Sequence, residues 1–303
     1  MNGIVIVDKP VDWTSQDVTA RLRRVFNTRR IGHGGTLDPM ATGVLPVFVG
    51  RATRGVEFFE HAEKTYETLL RLGVTTDTED IWGTVLEEKD AFVTGEQLEQ
   101  VLQQFRGEIL QVPPMYSALK INGQKLVDLA RKGKEVERQA RPITIHELTC
   151  LGMEAEGIRL RVRCSKGTYI RTLCKDIGAA LGCGGCMAAL RRVQAGEYTI
   201  GEAVPLQELL ETENPETYLR PVDSMFRNHP EVRLTPSRNS GAATATAFLL
   251  HIRREPTGFM AAMENFWRCQ KWKMVLCQPL RAFLKFDHSD KLEFGGDLPQ
   301  TEI

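Results

Sequence analysis

The sequence lacks any long apolar segment. Runs such as VLPVFVG and TAFLLHI are only 7 residues long, whereas a helix that spans a bilayer needs about 20 apolar residues. The chain also runs directly into GIVIVDKP, without the basic start, apolar core and small-residue cleavage site of a signal peptide. These absences argue against a membrane protein and predict a cytoplasmic one.

Paired cysteine motifs are scarce as well. The seven cysteines are odd in number and scattered along the chain, which is unlike a disulfide framework. Cys183 and Cys186 form a single CxxC pair, but a zinc site would need two more ligands at partner spacing, and none is evident. We therefore expect a reduced protein without a metal site.

Net charge is absent too, because 39 Lys and Arg residues balance 39 Asp and Glu residues. No global field therefore attracts a polyanion. Basic residues nevertheless cluster at 21–30, 120–141 and 159–171, while acidic residues gather elsewhere, at 77–90 and 202–216. Such clusters fit either a nucleic-acid-binding face or ordinary solvated faces, and charge alone leaves both open.

Hydrophobic periodicity favours an α+β fold. GIVIV at 3–7 has the pattern of a buried strand, and KTYETLLRLGV predicts a strand in which Tyr66 alternates with its neighbours. Ser15 is the predicted N-cap of a helix that exposes Arg21 and Arg24 opposite its apolar face. Strands and helices mix without a regular βαβ rhythm, so we expect α+β rather than a doubly wound sheet.

Two further helices have recognisable ends. Thr94 and Gln97 occupy capping-box positions before an apolar-periodic segment. TYIRTLCKDIGAALG predicts an amphipathic helix that ends at Gly182 in a left-handed cap. Beyond Pro236 the alternation and the turn signals disappear, and the only element expected there is a helix near 257–268.

The segment HGGTLDPMATG at 33–43 surrounds one acid, Asp38, with three glycines, two threonines and a proline. An aspartate in a turn usually accepts hydrogen bonds from nearby backbone N–H groups. The loop alone therefore leaves Asp38 as either a turn residue or a reactive carboxylate.

Six sequence blocks decide between these interpretations. In chain order they are KPVDWTS at 9–15, GHGGTLDPMATGVLPV at 32–47, KTYE at 64–67, PPMYSALKINGQKLVDLARKG at 113–133, SKGTYIRTLCKDIG at 165–178 and LRRVQAG at 190–196. Together they resemble the TruB family of tRNA pseudouridine synthases over about residues 1–235. The resemblance implies a pseudouridine synthase fold, with a mixed, largely antiparallel central sheet flanked by helices.

The resemblance also implies a reaction, the isomerisation of uridine 55 in the T arm of tRNA to pseudouridine, with no metal or organic cofactor. The glycosidic N1–C1′ bond breaks, the uracil turns, and C5 bonds to C1′. Asp38 is implied as the catalytic carboxylate, with Arg171 holding it charged and Tyr66 stacking on the base. Whether Asp38 attacks C1′, adds to the ring or removes a ribose proton stays open.

The target base must leave its stack to react, and the family pattern supplies residues to receive it. Tyr169 and Leu190 would line the pocket, and His33 would lie at the loop entrance. Lys9 is assigned to substrate binding in a motif that supports the active-site loop. The implied partner is the T stem-loop of tRNA, bound by a monomer.

The domain organisation follows from the same resemblance. Residues 1–227 are expected to form the catalytic domain, and 215–226 resembles the end of a domain. Residues 228–303 stand in the place of a small PUA-like RNA-binding module but lack its alternating pattern. A diverged module, a replaced tail and a reading-frame change after EVRLTP stay open, and Val127 stands where the family usually has tyrosine.

Two other functions compete with this interpretation. One is a non-catalytic RNA-binding or RNA-folding protein on the same scaffold, which an intact Asp38, Tyr66 and Arg171 set disfavours. The other is a glycoside hydrolase, which would need a second carboxylate as general acid, and no motif supplies one. If the protein binds tRNA, Arg21, Arg24 and the basic segment 120–141 are expected to supply a salt-sensitive part of the affinity.

Overall fold

One mixed ten-stranded sheet carries most of the fold, and the computed structural model describes residues 1–228, 231–234 and 245–248. The strands are β1 Gly3–Lys9, β2 Ile31–His33, β3 Thr42–Val49, β4 Lys64–Leu72, β5 Val74–Thr76, β6 Val85–Glu88, β7 Gly107–Gln111, β8 Lys120–Ile121, β9 Gln124–Lys125, β10 Arg141–Glu154, β11 Gly157–Cys164, β12 Gly185–Ala195, β13 Tyr198–Thr199, β14 Val204–Pro205, β15 Glu231–Leu234 and β16 Ala245–Phe248. The α-helices are α1 Ser15–Val25, α2 Val56–Phe59, α3 Gly95–Gln104, α4 Leu126–Ala130, α5 Ile170–Ala180 and α6 Leu206–Glu211. Short 3-10 helices cover Gly50–Gly55, Ile200–Glu202, Pro215–Tyr218 and Val222–Phe226.

The sheet has the strand order β14-β1-β3-β12-β4-β11-β10-β7, with β2 paired to β3 and β13 paired to β12. The β1–β14 and β3–β12 pairs are parallel, and the remaining pairs of this sheet are antiparallel. This arrangement confirms the expected α+β fold with a mixed, largely antiparallel sheet. It also places β3, β12 and β4 side by side at the centre, where Tyr66 lies on β4, Leu190 lies on β12 and the Asp38 loop enters β3.

The start of α1 differs from the prediction by one residue. Thr14 is the N-cap: its hydroxyl accepts from the Asp17 N–H at 3.0 Å, and the Asp17 carboxylate accepts from the Thr14 N–H at 3.0 Å. This capping box leaves Ser15 as the first helical residue. Ser15 is buried, and its hydroxyl accepts from the Leu37 N–H at 2.9 Å. The expected N-cap therefore holds the loop that leads to Asp38.

The other predicted element ends agree with the structure. The capping box of Thr94 and Gln97 opens α3. Gly182, two residues after α5, has a φ of 80°, as a left-handed cap requires. Tyr66 lies within β4, and Arg21 and Arg24 are exposed on α1. The local sequence was sufficient to predict these features, because each depends only on neighbouring residues.

Met1–Met225 forms one compact unit. Further along the chain, β15 and β16 pair as antiparallel strands. The helix expected near 257–268 lies outside the described residues, and the division of function between 1–227 and 228–303 stays a prediction. Among the described residues, no helix is both long and apolar enough to cross a membrane.

Candidate active site

Asp38 lies in the connection between β2 and β3, and the loop around it is anchored on both sides. The side chains of Leu37 and Met40 are buried in the core. The Asp12 N–H donates to the Pro39 carbonyl at 3.0 Å. The Asp38 side chain itself stays 38% exposed. A fixed backbone thus presents one carboxylate to solvent.

Lys9 supports the same loop from its buried side. It is fully buried, and its Nζ donates to the carbonyls of Trp13 at 2.6 Å, Pro10 at 2.8 Å and Pro39 at 3.2 Å. Burial lowers the pKa of Lys9 to about 8, and the charge of Asp38 opposes that shift. In this structure the buried ammonium positions the loop, and its assignment to substrate binding stays a prediction.

Arg171 enters the site from the first turn of α5. Its Nε donates to Oδ2 of Asp38 at 2.9 Å, while Nη1 donates to the Thr78 carbonyl at 2.9 Å and Nη2 to the Tyr116 carbonyl at 2.8 Å. The side chain is only 6% exposed. Three bonds in different directions fix a planar guanidinium. Arg171 thus holds the Asp38 carboxylate from its buried side.

Asp80 is a second carboxylate on this guanidinium, which sequence reasoning missed. Its Oδ2 lies 3.7 Å from Nε of Arg171, and its Oδ1 accepts from the Thr78 hydroxyl at 2.9 Å and the Trp82 N–H at 3.1 Å. Burial raises the pKa of Asp80, whereas the Thr78 hydroxyl and the charge of Arg171 lower it. The acidic segment 77–90 is separated in sequence from the basic clusters, and no periodicity in it points to Arg171.

Strand register brings Tyr66 beside a buried arginine. Tyr66 of β4 pairs with Arg192 of β12, and Arg192 pairs with Gly43 at the start of β3. The Arg192 guanidinium donates from Nε to the Val44 carbonyl at 2.7 Å and from Nη2 to the Gly35 carbonyl at 3.2 Å. Its charge also acts on the Tyr66 phenol. One fully buried side chain therefore binds both ends of the Asp38 loop and lies next to Tyr66 in the sheet.

Gly43 is required for this close approach. Its φ is 100°, which disfavours any residue with a side chain, and a Cβ there would collide with the carbonyl oxygen of Arg192.

Burial raises the pKa of Tyr66, the charge of Arg192 opposes this, and the charge of Asp38 adds a smaller increase. These effects keep the Tyr66 phenol protonated at neutral pH.

Tyr169 is the N-cap residue of α5, directly before the turn that carries Arg171. Its N–H donates to Oε1 of Gln111 at 2.8 Å, and its carbonyl accepts from Nε2 of Gln111 at 3.1 Å. The ring is half-buried. Burial raises the pKa of the Tyr169 phenol, and the charge of Asp38 contributes to the increase. Gln111, which clamps this backbone, had no distinguishing signal in the sequence.

Leu190 and His33 occupy the margins of the site. Leu190 is buried on β12, opposite Thr68 of β4. His33 ends β2, where burial lowers its pKa and the charge of Arg192 acts in the same direction. Within the described chain its Nδ1 is buried without a partner in hydrogen-bond geometry. His33 therefore belongs to the surroundings of Arg192 rather than to the Asp38–Arg171 pair.

Contact and charge thus unite five of the seven predicted site residues. Arg171 binds Asp38 directly, and the charge of Asp38 acts on the Lys9 ammonium and on the phenols of Tyr66 and Tyr169. Cys183, the first cysteine of the CxxC pair, and its partner are both free thiols. In the described part of the chain, no three His, Cys, Asp or Glu side chains lie close enough together to hold a metal ion.

Two family models match consecutive parts of the sequence. The N-terminal domain of TruB family pseudouridylate synthases matches residues 23–170, and the C-terminal domain of tRNA pseudouridylate synthase B matches residues 171–227. The tRNA pseudouridine synthase B of Stutzerimonas stutzeri (strain A1501) is 48% identical over 241 residues, covering 78% of this chain and 79% of that protein. The Clostridium kluyveri tRNA pseudouridine synthase B is 45% identical over 232 residues, covering 77% and 80%.

Solved structures also match this chain. A Cbf5–Nop10–Gar1 complex contains a chain that matches with a TM-score of 0.60 and 30% identity, covering 75% of this chain and 62% of that chain. An H/ACA RNP bound to a substrate RNA containing 2′-deoxyuridine matches with a TM-score of 0.58 and 28% identity, with the same coverage. The present chain spans less than two thirds of these structural neighbours.

Proposed function

The chain belongs to the TruB family of pseudouridylate synthases, and from this premise we propose that it converts uridine 55 in the T arm of tRNA to pseudouridine. One observation carries the proposal. A half-exposed carboxylate, Asp38, is held at 2.9 Å by a guanidinium, Arg171, that is itself nearly inaccessible to solvent. Such a pair stabilises an ionised acid and leaves it facing a substrate.

The reaction conserves the atoms of the substrate. The N1–C1′ bond breaks and a C5–C1′ bond forms, while C5 loses a proton and N1 gains one. Within the described residues, the hydrogen bond to the Asp38 carboxylate engages Oδ2. Oδ1 is therefore the oxygen that we assign to the reaction. The three routes open to it are attack at C1′, addition to the uracil ring and removal of a ribose proton.

The surrounding residues fit an everted base. Tyr66, which pairs with Arg192 across β4 and β12, offers a ring for stacking, and stacking offsets the cost of base flipping. Tyr169 is half-buried and Leu190 is buried, which fits the pocket-wall roles assigned to them. His33 stands where the Asp38 loop begins, and we assign it to the entrance.

The T stem-loop is the proposed partner, and Arg21 and Arg24 are proposed to contact its phosphates. Both arginines are exposed on α1, and phosphate contacts position a nucleic acid without reading its sequence. Every proposed site residue comes from one chain, which fits action as a monomer. A role in tRNA modification would place the protein in the cytoplasm.

The test uses T-arm RNA with tritium at C5 of the target uridine. We expect the protein to release tritium and to form pseudouridine in equal amounts, because C5 loses its hydrogen when it bonds to C1′. An RNA with cytidine at that position is the control and should give no pseudouridine. RNA binding without release would support a non-catalytic RNA-folding protein, and free uracil would indicate a glycoside hydrolase. Either result would contradict the proposal.

A further inference from the structure

Glu79 has an unusual backbone and an unusual side-chain environment. It lies in the Glu79 turn, residues 76–80, which follows β5. Its φ is 66°, in the left-handed region that disfavours residues with a Cβ, and the residue is only 9% exposed. A strained, buried acid in a turn needs interactions that hold it there.

The carboxylate of Glu79 bridges the turn to α5. Its Oε2 accepts from the Thr172 hydroxyl at 2.5 Å, and its Oε1 accepts from Nζ of Lys175 at 2.6 Å. Thr172 is itself buried and directly follows Arg171. The two donors therefore grip the helix beside the residue that binds Asp38.

The opposite side of the turn is tied to β12. The Met187 N–H donates to the Glu79 carbonyl at 3.1 Å, and the Ile81 N–H donates to the Met187 carbonyl at 2.9 Å. The neighbours of Glu79 on the chain are the groups that contact Arg171: the Thr78 carbonyl at 2.9 Å and the Asp80 carboxylate at 3.7 Å.

We propose that Glu79 is a positioning residue, whose carboxylate clamps the Glu79 turn against α5 so that Thr78 and Asp80 keep the Arg171 guanidinium aimed at Asp38. The inference rests on the proposed function, since aiming matters only if Asp38 reacts. Without the clamp, no side-chain contact from Glu79 holds the turn against α5, and the turn can move away from Arg171. A displacement of about 1 Å in a catalytic group can cost about 100-fold in rate.

Glu79→Gly is the sharpest variant, because glycine adopts the left-handed backbone without strain and removes the whole clamping side chain. We expect kcat on T-arm RNA to fall by about 10- to 100-fold, with KM changed less than about twofold because RNA contacts persist. Glu79→Gln keeps the hydrogen-bonding shape and should recover part of the loss. Thr172→Val removes one donor from the helix side and should also lower kcat if Glu79→Gly fails to fold.

Asp176→Asn is the matched control. Like Glu79, Asp176 contacts Lys175, with its carboxylate 3.8 Å away on the same helix. Asp176 lies outside the Glu79 turn, so its replacement should leave kcat at the wild-type value. Amide hydrogen exchange across 76–83 gives a readout that needs no activity, and we expect it to accelerate in Glu79→Gly while exchange in other segments is unchanged.

A wild-type kcat in Glu79→Gly would overturn the clamp proposal alone. A fall in kcat for Asp176→Asn equal to that for Glu79→Gly would also overturn it. A wild-type protein inactive on T-arm RNA would instead overturn the proposed function. In that case the exchange measurement still decides: unchanged exchange across 76–83 would refute the clamp, and faster exchange would support it.

Discussion

Two buried arginines flank the Asp38 loop, and their partners differ in kind. Arg171 contacts the carboxylates of Asp38 and Asp80 at 2.9 and 3.7 Å. Arg192 instead donates to the carbonyls of Val44 and Gly35, and its charge acts on the phenol of Tyr66. Both side chains are almost inaccessible to solvent.

The difference in partners distinguishes two roles. In aiming, an arginine orients the reacting carboxylate; in support, an arginine holds the surrounding backbone. Asp38, the carboxylate that Arg171 binds, is half-exposed, so this buried guanidinium places its charge next to a group that faces solvent. Arg192 faces only neutral groups in these contacts, and burial lowers its pKa. Its five donors can satisfy loop carbonyls that would otherwise be buried without partners. We therefore infer that Arg171 acts on the reacting group and that Arg192 acts on the architecture beneath it.

Lysine at each position gives the largest expected contrast. Arg171→Lys should lower kcat by about 100-fold or more, because a point charge cannot bind Asp38 and two carbonyls in one plane. Arg192→Lys should lower kcat by about tenfold or less and destabilise the fold by about 2 kcal/mol or more, since buried carbonyls lose their donors. Saturating kinetics on T-arm RNA and denaturant unfolding measure the two effects.

Arg191→Lys is the control for both substitutions. Arg191 is 41% exposed and pairs with Asp8 at 2.7 Å, so its replacement should change stability by no more than about 1 kcal/mol. Equal losses of kcat for Arg171→Lys and Arg192→Lys would remove the distinction between aiming and support.

The pH dependence of stability tests the supporting role of Lys9. Its folded pKa is about 8, against an ordinary value of 10.5. The unfolded chain therefore binds more protons at this position between these values, so the contribution of Lys9 to stability increases as pH rises. We expect wild type to gain about 1 kcal/mol per pH unit relative to Lys9→Met above pH 8.

Unfolding by denaturant from pH 7 to 10, under reducing conditions, measures this gain. Lys132→Met is the control, since Lys132 is exposed and its loss should leave the pH curve parallel to wild type. Parallel curves for Lys9→Met as well would mean that the loop support does not depend on a desolvated ammonium.

The smallest expected effect concerns RNA affinity. Replacing Arg21 and Arg24 together by Gln should reduce the slope of log affinity against log salt by about one to two, because each lost phosphate contact removes about one released counterion. Arg159→Gln is the control, since Arg159 already pairs with Glu154 at 2.7 Å. An unchanged slope for the double variant would remove α1 from the proposed RNA surface.

The sequence motifs located Asp38, Tyr66 and Arg171, and periodicity predicted the α+β class. Neither could show what packs against what. Asp38 and Arg171 are 133 residues apart, and their contact depends on the way α5 packs beside the loop. Arg192 occurs in a short basic run that gives no sign of complete burial.

Turn chemistry explains the other differences. Two adjacent residues, Thr14 and Ser15, both have N-cap side chains, and only the position of Asp17 three residues later selects Thr14. Glu79 stands in the acidic segment 77–90, apart in sequence from the basic clusters. A composition count cannot reveal that its carboxylate turns inward to Thr172 and Lys175.

Asp38→Asn tests the central claim most directly. The amide keeps the size of the side chain and removes the charge that Arg171 holds. At saturating T-arm RNA, we predict that tritium release from C5 falls by about 1000-fold or more, while RNA affinity stays within about threefold. Release within about tenfold of wild type would contradict the assignment of the rearrangement to this carboxylate.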